Sequence, residues 1–191
     1  MLPSSVSTRS PRRYGGLAQA LHWATAILVL AAFIYGPGGP EDRVYLASRD
    51  AERHLHETLG FTVFVLSALR VLWRLVDRRP DPEPVARWMG RLAKAVQGGL
   101  YLRLFAVPLT AIVGAWLEGH PLAFLGGLEI ASPFAASHDT GATLAEIHGW
   151  LGDAILWLAG LHAAAALYHQ ALLKDGVLRS MLPRWLLRDR A

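Results

Sequence analysis

The chain contains no cysteine. That excludes disulfides, thiolate-held iron–sulfur clusters, thiol catalysis and covalent attachment of haem through a C-x-x-C-H motif. Methionine is scarce, at three residues, so sulfur ligation has few places to occur. Charge is scarce too: 18% of the 191 residues are charged against 53% hydrophobic, and the net charge is +4. One stretch, Glu118 to Glu146, has no Lys or Arg at all. There is no hydrolase triad pattern, phosphate-binding Gly loop or dinucleotide fingerprint. The basic residues lie between apolar blocks rather than in one patch, which argues for membrane topology and against nucleic-acid binding.

What is present is pooled hydrophobicity. A span of the hydrocarbon core takes about 20 mostly apolar helical residues. Four segments qualify, at 17–35, 56–76, 99–117 and 147–173. Gly36, Pro37, Gly38, Gly39 and Pro40 end the first; Asp77, Arg78, Arg79 and Pro80 stop the second; Lys174, Asp175 and Gly176 end the fourth. The third contains Arg103, which can snorkel to the near interface, and Pro108. The fold class expected is all-α, an integral membrane four-helix bundle forming one domain over 1–191. The first span follows Arg12 and Arg13 but is too long for a signal-peptide core and lacks an A-x-A site, so it reads as a retained helix.

Basic residues orient the bundle. With the N-terminus inside, only Arg43, Arg49 and Arg53 of the 19 Lys and Arg lie outside. Both termini are therefore expected on the inner side. Arg78 to Pro84 reads as a stiff inner loop, and 85–96 as a short amphipathic helix on the inner surface. The tail, 177–191, mixes Leu, Met and Trp with Arg and is expected along the inner interface. The loop from His120 to Thr143 is unusually apolar, with Leu122, Phe124, Leu125, Leu128, Ile130 and Phe134, and is expected to fold back as a lid on the outer end.

Histidines then stand out, because polar groups within a membrane are costly and usually functional. His148 and His162 are 14 residues apart on the fourth span, on one face and separated by about 21 Å along the axis. His22 lies near the inner end of the first span and His56 near the outer end of the second. Antiparallel topology levels His22 with His162 and His56 with His148. Two imidazoles facing one another at one depth can hold a planar haem from both sides, leaving iron six-coordinate and suited to outer-sphere electron transfer. Neutral imidazole ligands also avoid burying a charge. The residue four positions after each His is small: Ala26, Gly60, Gly152 and Ala166. Arg70 and Arg74 are candidate propionate partners for the inner haem, and Arg53 for the outer one.

Other assignments compete. A lone membrane His is most simply an interhelical hydrogen-bonding group, but four in two level pairs ask for more. A metal-transport site remains open at the outer pair, beside Glu57, Glu146 and Asp153. His54 competes with His56 but sits next to the charged stretch Asp50 to Arg53. His169, seven residues after His162, is expected to meet a propionate or the inner surface. His120 and His138 are expected in solvated outer loop.

The ordered set of motifs resembles the bacterial cytochrome b561 family. It comprises Gln19-Ala20-Leu21-His22-Trp23, His56-Glu57-Thr58-Leu59-Gly60, Leu69-Arg70-Val71-Leu72-Trp73-Arg74, His148, Gly160-Leu161-His162 through Tyr168-His169, and Lys174-Asp175-Gly176-Val177-Leu178-Arg179-Ser180-Met181-Leu182-Pro183. The resemblance implies two haem b groups with His22, His56, His148 and His162 as axial ligands, paired as above, and no ligand from the third helix. It implies a bacterial inner membrane protein exchanging electrons with quinone. One branch is similar to superoxide oxidases that reduce ubiquinone; other relatives are cytochrome b subunits anchoring hydrogenases or other dehydrogenases.

Overall fold

The computed structural model describes residues 13–38, 44–77, 80 and 85–187. The inner loop Arg78 to Pro84 (Pro80 apart), Arg9, Arg12, Arg43 and the tail beyond residue 187 lie outside those residues. Four long helices make the bundle: α1 Gly16–Ile34, α2 Asp50–Val76, α3 Arg87–Leu117 and α4 His138–Tyr168. A single π turn, His169–Leu173, extends α4. A two-stranded hairpin, β1 Leu122–Ala123 and β2 Glu129–Ile130, joins α3 to α4, and a short α5, Val177–Met181, follows. All four long helices are long and apolar enough to cross a membrane.

Their boundaries differ from the sequence expectation for local reasons. Hydropathy marks where a helix enters hydrocarbon, whereas the helix itself starts where its caps and charges allow. α2 begins at Asp50 rather than His56, with Asp50 and Glu52 in a first turn that favours negative charge. α4 begins at His138 rather than 147, again with an acidic residue, Asp139, in its first turn. The segment 85–96, expected as a separate surface helix, is instead the first part of α3 from Arg87 onward. Gly98 and Gly99 do not break that helix; Gly99 lets α3 approach Leu158, which lies 3.1 Å from where its Cβ would be.

The surface is apolar and the interior small. Leu72, Leu75, Val76 and Trp157 are 60–83% exposed, a band that water would not tolerate but lipid tails match. The buried core at mid-depth is Val63, Leu104 and Ile155, backed by Leu28, Val29, Leu100 and Val107. Thr25 and Ser67 are buried beside it, small enough to bring helices together. Packing is uneven: α1 lies closely against α2 and α3 against α4, α2 meets α3 over a smaller contact, and α4 approaches α1 and α2 through side chains such as Ile155, which shares a cluster with Val63. Two antiparallel helix pairs thus face each other across a gap.

Both ends of the gap are closed off: the end nearer the N-terminus, expected from the basic residues to be the inner one, and the hairpin end, expected to be the outer one. At the inner end α5 is tied under α1: the amide of Tyr14 donates to Ser180 O, Gln19 Nε2 donates to the same carbonyl, and Trp23 Nε1 donates to Met181 O at 2.9 Å. The start of the tail is therefore docked on α1, with Trp185 and Leu186 left exposed. At the outer end the hairpin turns at Gly126 and Gly127, with φ of +91° and +81°, a turn that glycine alone makes without strain. Leu122, Ala123 and Phe124 are buried under it, so this part of the outer loop does fold back as a lid.

Candidate cofactor site: two facing histidine pairs

The four histidines singled out above meet in two pairs across the gap. His22 of α1 faces His162 of α4, with ring centres 6.3 Å apart; His56 of α2 faces His148 of α4 at 5.9 Å. Metal–imidazole bonds of about 2 Å, with each ring nitrogen about 1 Å from its ring centre, would set two axial rings on one metal about 6 Å apart. The observed spacings are of that size.

The outer pair is oriented by backbone. His56 Nδ1 is 2.8 Å from Ala32 O and His148 Nδ1 is 2.9 Å from Val107 O. Only a protonated Nδ1 can donate to a carbonyl, so both Nε2 atoms keep their lone pairs. That is the tautomer a metal needs, and the carbonyl is a common outer partner of a ligating histidine. One turn on, a Cβ added at Gly60 or Gly152 would meet nothing within 4 Å. There is room here for the edge of a flat macrocycle.

The inner pair is built differently. Arg70 Nη2 lies 2.8 Å from His22 Nδ1. A guanidinium only donates, so Nδ1 accepts, and Nε2 of a neutral His22 holds the proton. Ligation through Nε2 requires Arg70 to withdraw. A cavity of about 130 Å³ adjoins both rings, lined by Ala26, Ala159 and Tyr101 as well as Arg70. The small residue of α4 on its wall is Ala159, one turn before His162, where sequence reasoning had pointed to Ala166. Arg70 and Arg74 both lie over the Tyr101 ring, at 5.4 and 5.6 Å, placing two cations beside this cavity.

The remaining candidates go elsewhere. Glu57 Oε2 accepts from the amide of Ala123 at 2.6 Å, and Thr58 Oγ1 accepts from that of Leu125, so α2 holds the hairpin down. Phe61 packs edge-on against Phe124 in the same place. Arg53 is bound by Asp50 at 2.7 Å and Glu57 at 3.3 Å and lies over Tyr45. His54 Nε2 lies beside that guanidinium, turned from the gap. His120 stacks on Tyr45 and His138 starts α4. His169 pairs with Asp175 at 2.5 Å, where the π turn ends in a left-handed Lys174. Glu146 and Asp153 are exposed on α4, so among the described residues neither joins the outer pair in a metal-transport site. Among the described residues no group of three or more His, Cys, Asp or Glu is placed to hold a metal ion.

Sequence reasoning missed the two carbonyls, Ala32 O and Val107 O, because a backbone acceptor has no residue signature. It also missed Glu57 as the tether of the lid.

The residues fit a planar group held from both faces: paired imidazoles at the right separation, free Nε2 atoms at the outer pair, open space beside glycine, and a gap between helix pairs. A family model for prokaryotic cytochrome b561 matches residues 13–184. The chain is 31% identical over 180 residues to cytochrome b561 homolog 2 of Escherichia coli K12, covering 92% of this chain and 94% of that one. It is 33% identical over 178 residues to cytochrome b562 of Cereibacter sphaeroides, covering 90% and 96%. It is 30% identical over 179 residues to a probable superoxide oxidase of Yersinia pestis, covering 91% and 97%.

Proposed function

Because this chain belongs to the prokaryotic cytochrome b561 family, membrane b-type cytochromes of electron transfer, we propose that it holds two haem b groups and moves single electrons between a donor and quinone. His22 and His162 would hold the inner haem, and His56 and His148 the outer one. The observation that supports this most directly is the pair of imidazole–imidazole spacings near 6 Å at two depths of one gap. Haem held by two imidazoles supplies reversible one-electron chemistry at an iron closed to oxygen.

The protein's own residues do the rest. Ala32 O and Val107 O hold the outer rings in the ligating tautomer. Val63, Leu104 and Ile155 keep water from the space between the pairs. Arg70 and Arg74 supply positive charge for the inner propionates. The protein sits in the bacterial inner membrane, with both termini cytoplasmic as the basic residues direct.

The donor is a quinol or a dehydrogenase partner rather than superoxide. Steering an anion needs free positive charge at the outer face. That side holds three Arg against nine acidic residues; Arg53 is neutralised by Asp50 and Glu57, and Arg49 pairs with Glu52. The test is a reduced-minus-oxidised spectrum of the purified protein with haem counted by pyridine haemochrome. Two b haems per chain are expected. One would break one of the two pairings, and none in a folded, haem-supplied preparation would end the reading.

A further inference from the structure

The outer cover carries a surface that haem ligation leaves unused. Leu125, Leu128 and Phe134 are 51–64% exposed and Ile130 is 39% exposed. They belong to a built turn, not a loose loop. The amide of Phe124 donates to Leu128 O, and Trp116 Nε1 donates to Ile130 O. Ser132 Oγ donates to Trp116 O at 3.0 Å, and Phe134 packs edge-on against the Trp116 ring. The apolar side chains from 125 to 134 are thus held outward on a fixed frame.

Their level limits what can cover them. Residues 138–146 of α4 precede its apolar span, about two and a half helical turns. α3 ends at Leu117 on the same side, so the connection between the two helices stands beyond the hydrocarbon. Lipid tails do not reach it, and an apolar patch in water marks a contact site. Charge decides between a membrane surface and a protein. Segments that lie along a bilayer carry Lys or Arg for its anionic headgroups. Between 118 and 146 there are Glu118, Glu129, Asp139 and Glu146, and no Lys or Arg. Glu129, Asp139 and Glu146 are exposed. Among the described residues no cation pairs with Glu129 or Asp139. An apolar centre edged by charge has the make-up of a protein contact, and negative charge selects a basic partner.

The patch also lies over the outer histidine pair. Thr58, two residues after His56, accepts from the amide of Leu125, and Glu57 accepts from that of Ala123. A partner seated on Leu125 is one hydrogen bond away from the helix turn that carries His56. We propose that this hairpin is the docking surface for a small, basic, water-soluble one-electron carrier. Weak electron-transfer encounters bury less than about 1,200 Å² in total, a size suited to a short hairpin. The carrier's redox character rests on the outer-haem reading; the docking itself does not. With a quinol as donor the carrier is the acceptor, gaining the one electron that the outer haem loses. Each quinol, losing two electrons and two protons, then serves two carriers.

The test uses the full-length holoprotein in nanodiscs of zwitterionic lipid, titrated with a basic mono-haem c-type cytochrome as probe. Binding is expected, weakening at least tenfold between about 20 and about 200 mM salt. Glu129→Lys with Asp139→Lys should weaken it at least tenfold at low salt, and Leu128→Ser about threefold. An acidic flavodoxin-type carrier should bind the double Lys variant but not the parent. An unchanged haem spectrum in each variant shows that the fold persists. No binding of the basic probe to a parent with two haems would overturn the docking surface alone. So would equal affinity for the acidic carrier, or a basic probe indifferent to the Lys substitutions. Because the chain has no cysteine, Leu128→Cys gives a single thiol for a fluorophore. Quenching of that fluorophore from lipid tails and not from water would place the hairpin in the membrane and also overturn the proposal. Salt-sensitive binding by a protein that lacks the outer haem would keep the surface and overturn the carrier's redox role.

Discussion

The two histidine pairs are similar in spacing and opposite in construction. At the outer end both Nδ1 atoms point at backbone carbonyls, Ala32 O and Val107 O, and a hairpin held by Glu57 and Thr58 covers the end. At the inner end His22 Nδ1 faces a guanidinium rather than a carbonyl, and the cover is a tail stitched to α1. Backbone acceptors set a tautomer in advance, because a helix carbonyl cannot move away. A side-chain donor sets the other tautomer and can leave. The outer pair is ready to ligate as it stands; the inner pair becomes ready when Arg70 turns to another acceptor, such as a propionate.

The largest test of that contrast is removal of one ring from each end. His148→Ala is expected to take haem content from two per chain to one while the inner haem's spectrum stays. His22→Ala should do the reverse, read by pyridine haemochrome and low-temperature spectra. If either substitution removes both haems from a folded protein, the ends are not separate sites.

Arg70→Leu is the next largest. A cation near the inner iron favours the reduced state, so its loss should lower the inner potential by on the order of 50–100 mV at an effective dielectric near 20. The outer potential should hold in the same redox titration. A shift shared by both haems would show that Arg70 is not specific to the inner end.

Glu57→Ala leaves the amide of Ala123 without its acceptor and Arg53 with Asp50 as its remaining ion-pair partner. It should loosen the hairpin by about 1–3 kcal/mol. Faster hydrogen exchange over 122–130, with both haems retained, is the expected result; unchanged protection would mean that Phe61 and Phe124 hold the lid alone. Gly141→Ala probes the closest approach of α3 and α4, where a Cβ would lie 2.5 Å from Glu118 Cγ and 2.8 Å from Glu118 N. It should destabilise the outer end by about 1–3 kcal/mol and lower the Tm. The smallest effect is expected from Trp23→Phe. It deletes one hydrogen bond to Met181 O, worth about 1 kcal/mol, and should raise proteolysis of the tail without touching the outer haem.

Much of this was legible in sequence because membranes constrain it. Hydrocarbon thickness limits helix length, and antiparallel order then levels His22 with His162 and His56 with His148, so facing pairs follow from numbers of residues. Helix starts were less legible, as at Asp50 and His138. Hydropathy reports lipid contact, while a helix extends beyond lipid as far as its hydrogen bonds and first-turn charges carry it. Arg70 was recognisable as a cation near the inner pair, but not as the donor to His22.

The sequence by itself determined the four spans, the family and the four histidines, since each depends on composition or on spacing along one helix. Tertiary structure decided what surrounds them: which carbonyl each outer ring faces, that Arg70 reaches His22, and that α1 packs chiefly on α2 and α3 on α4. Those are relations between helices, and they depend on rotation and approach that no periodicity within a single helix encodes.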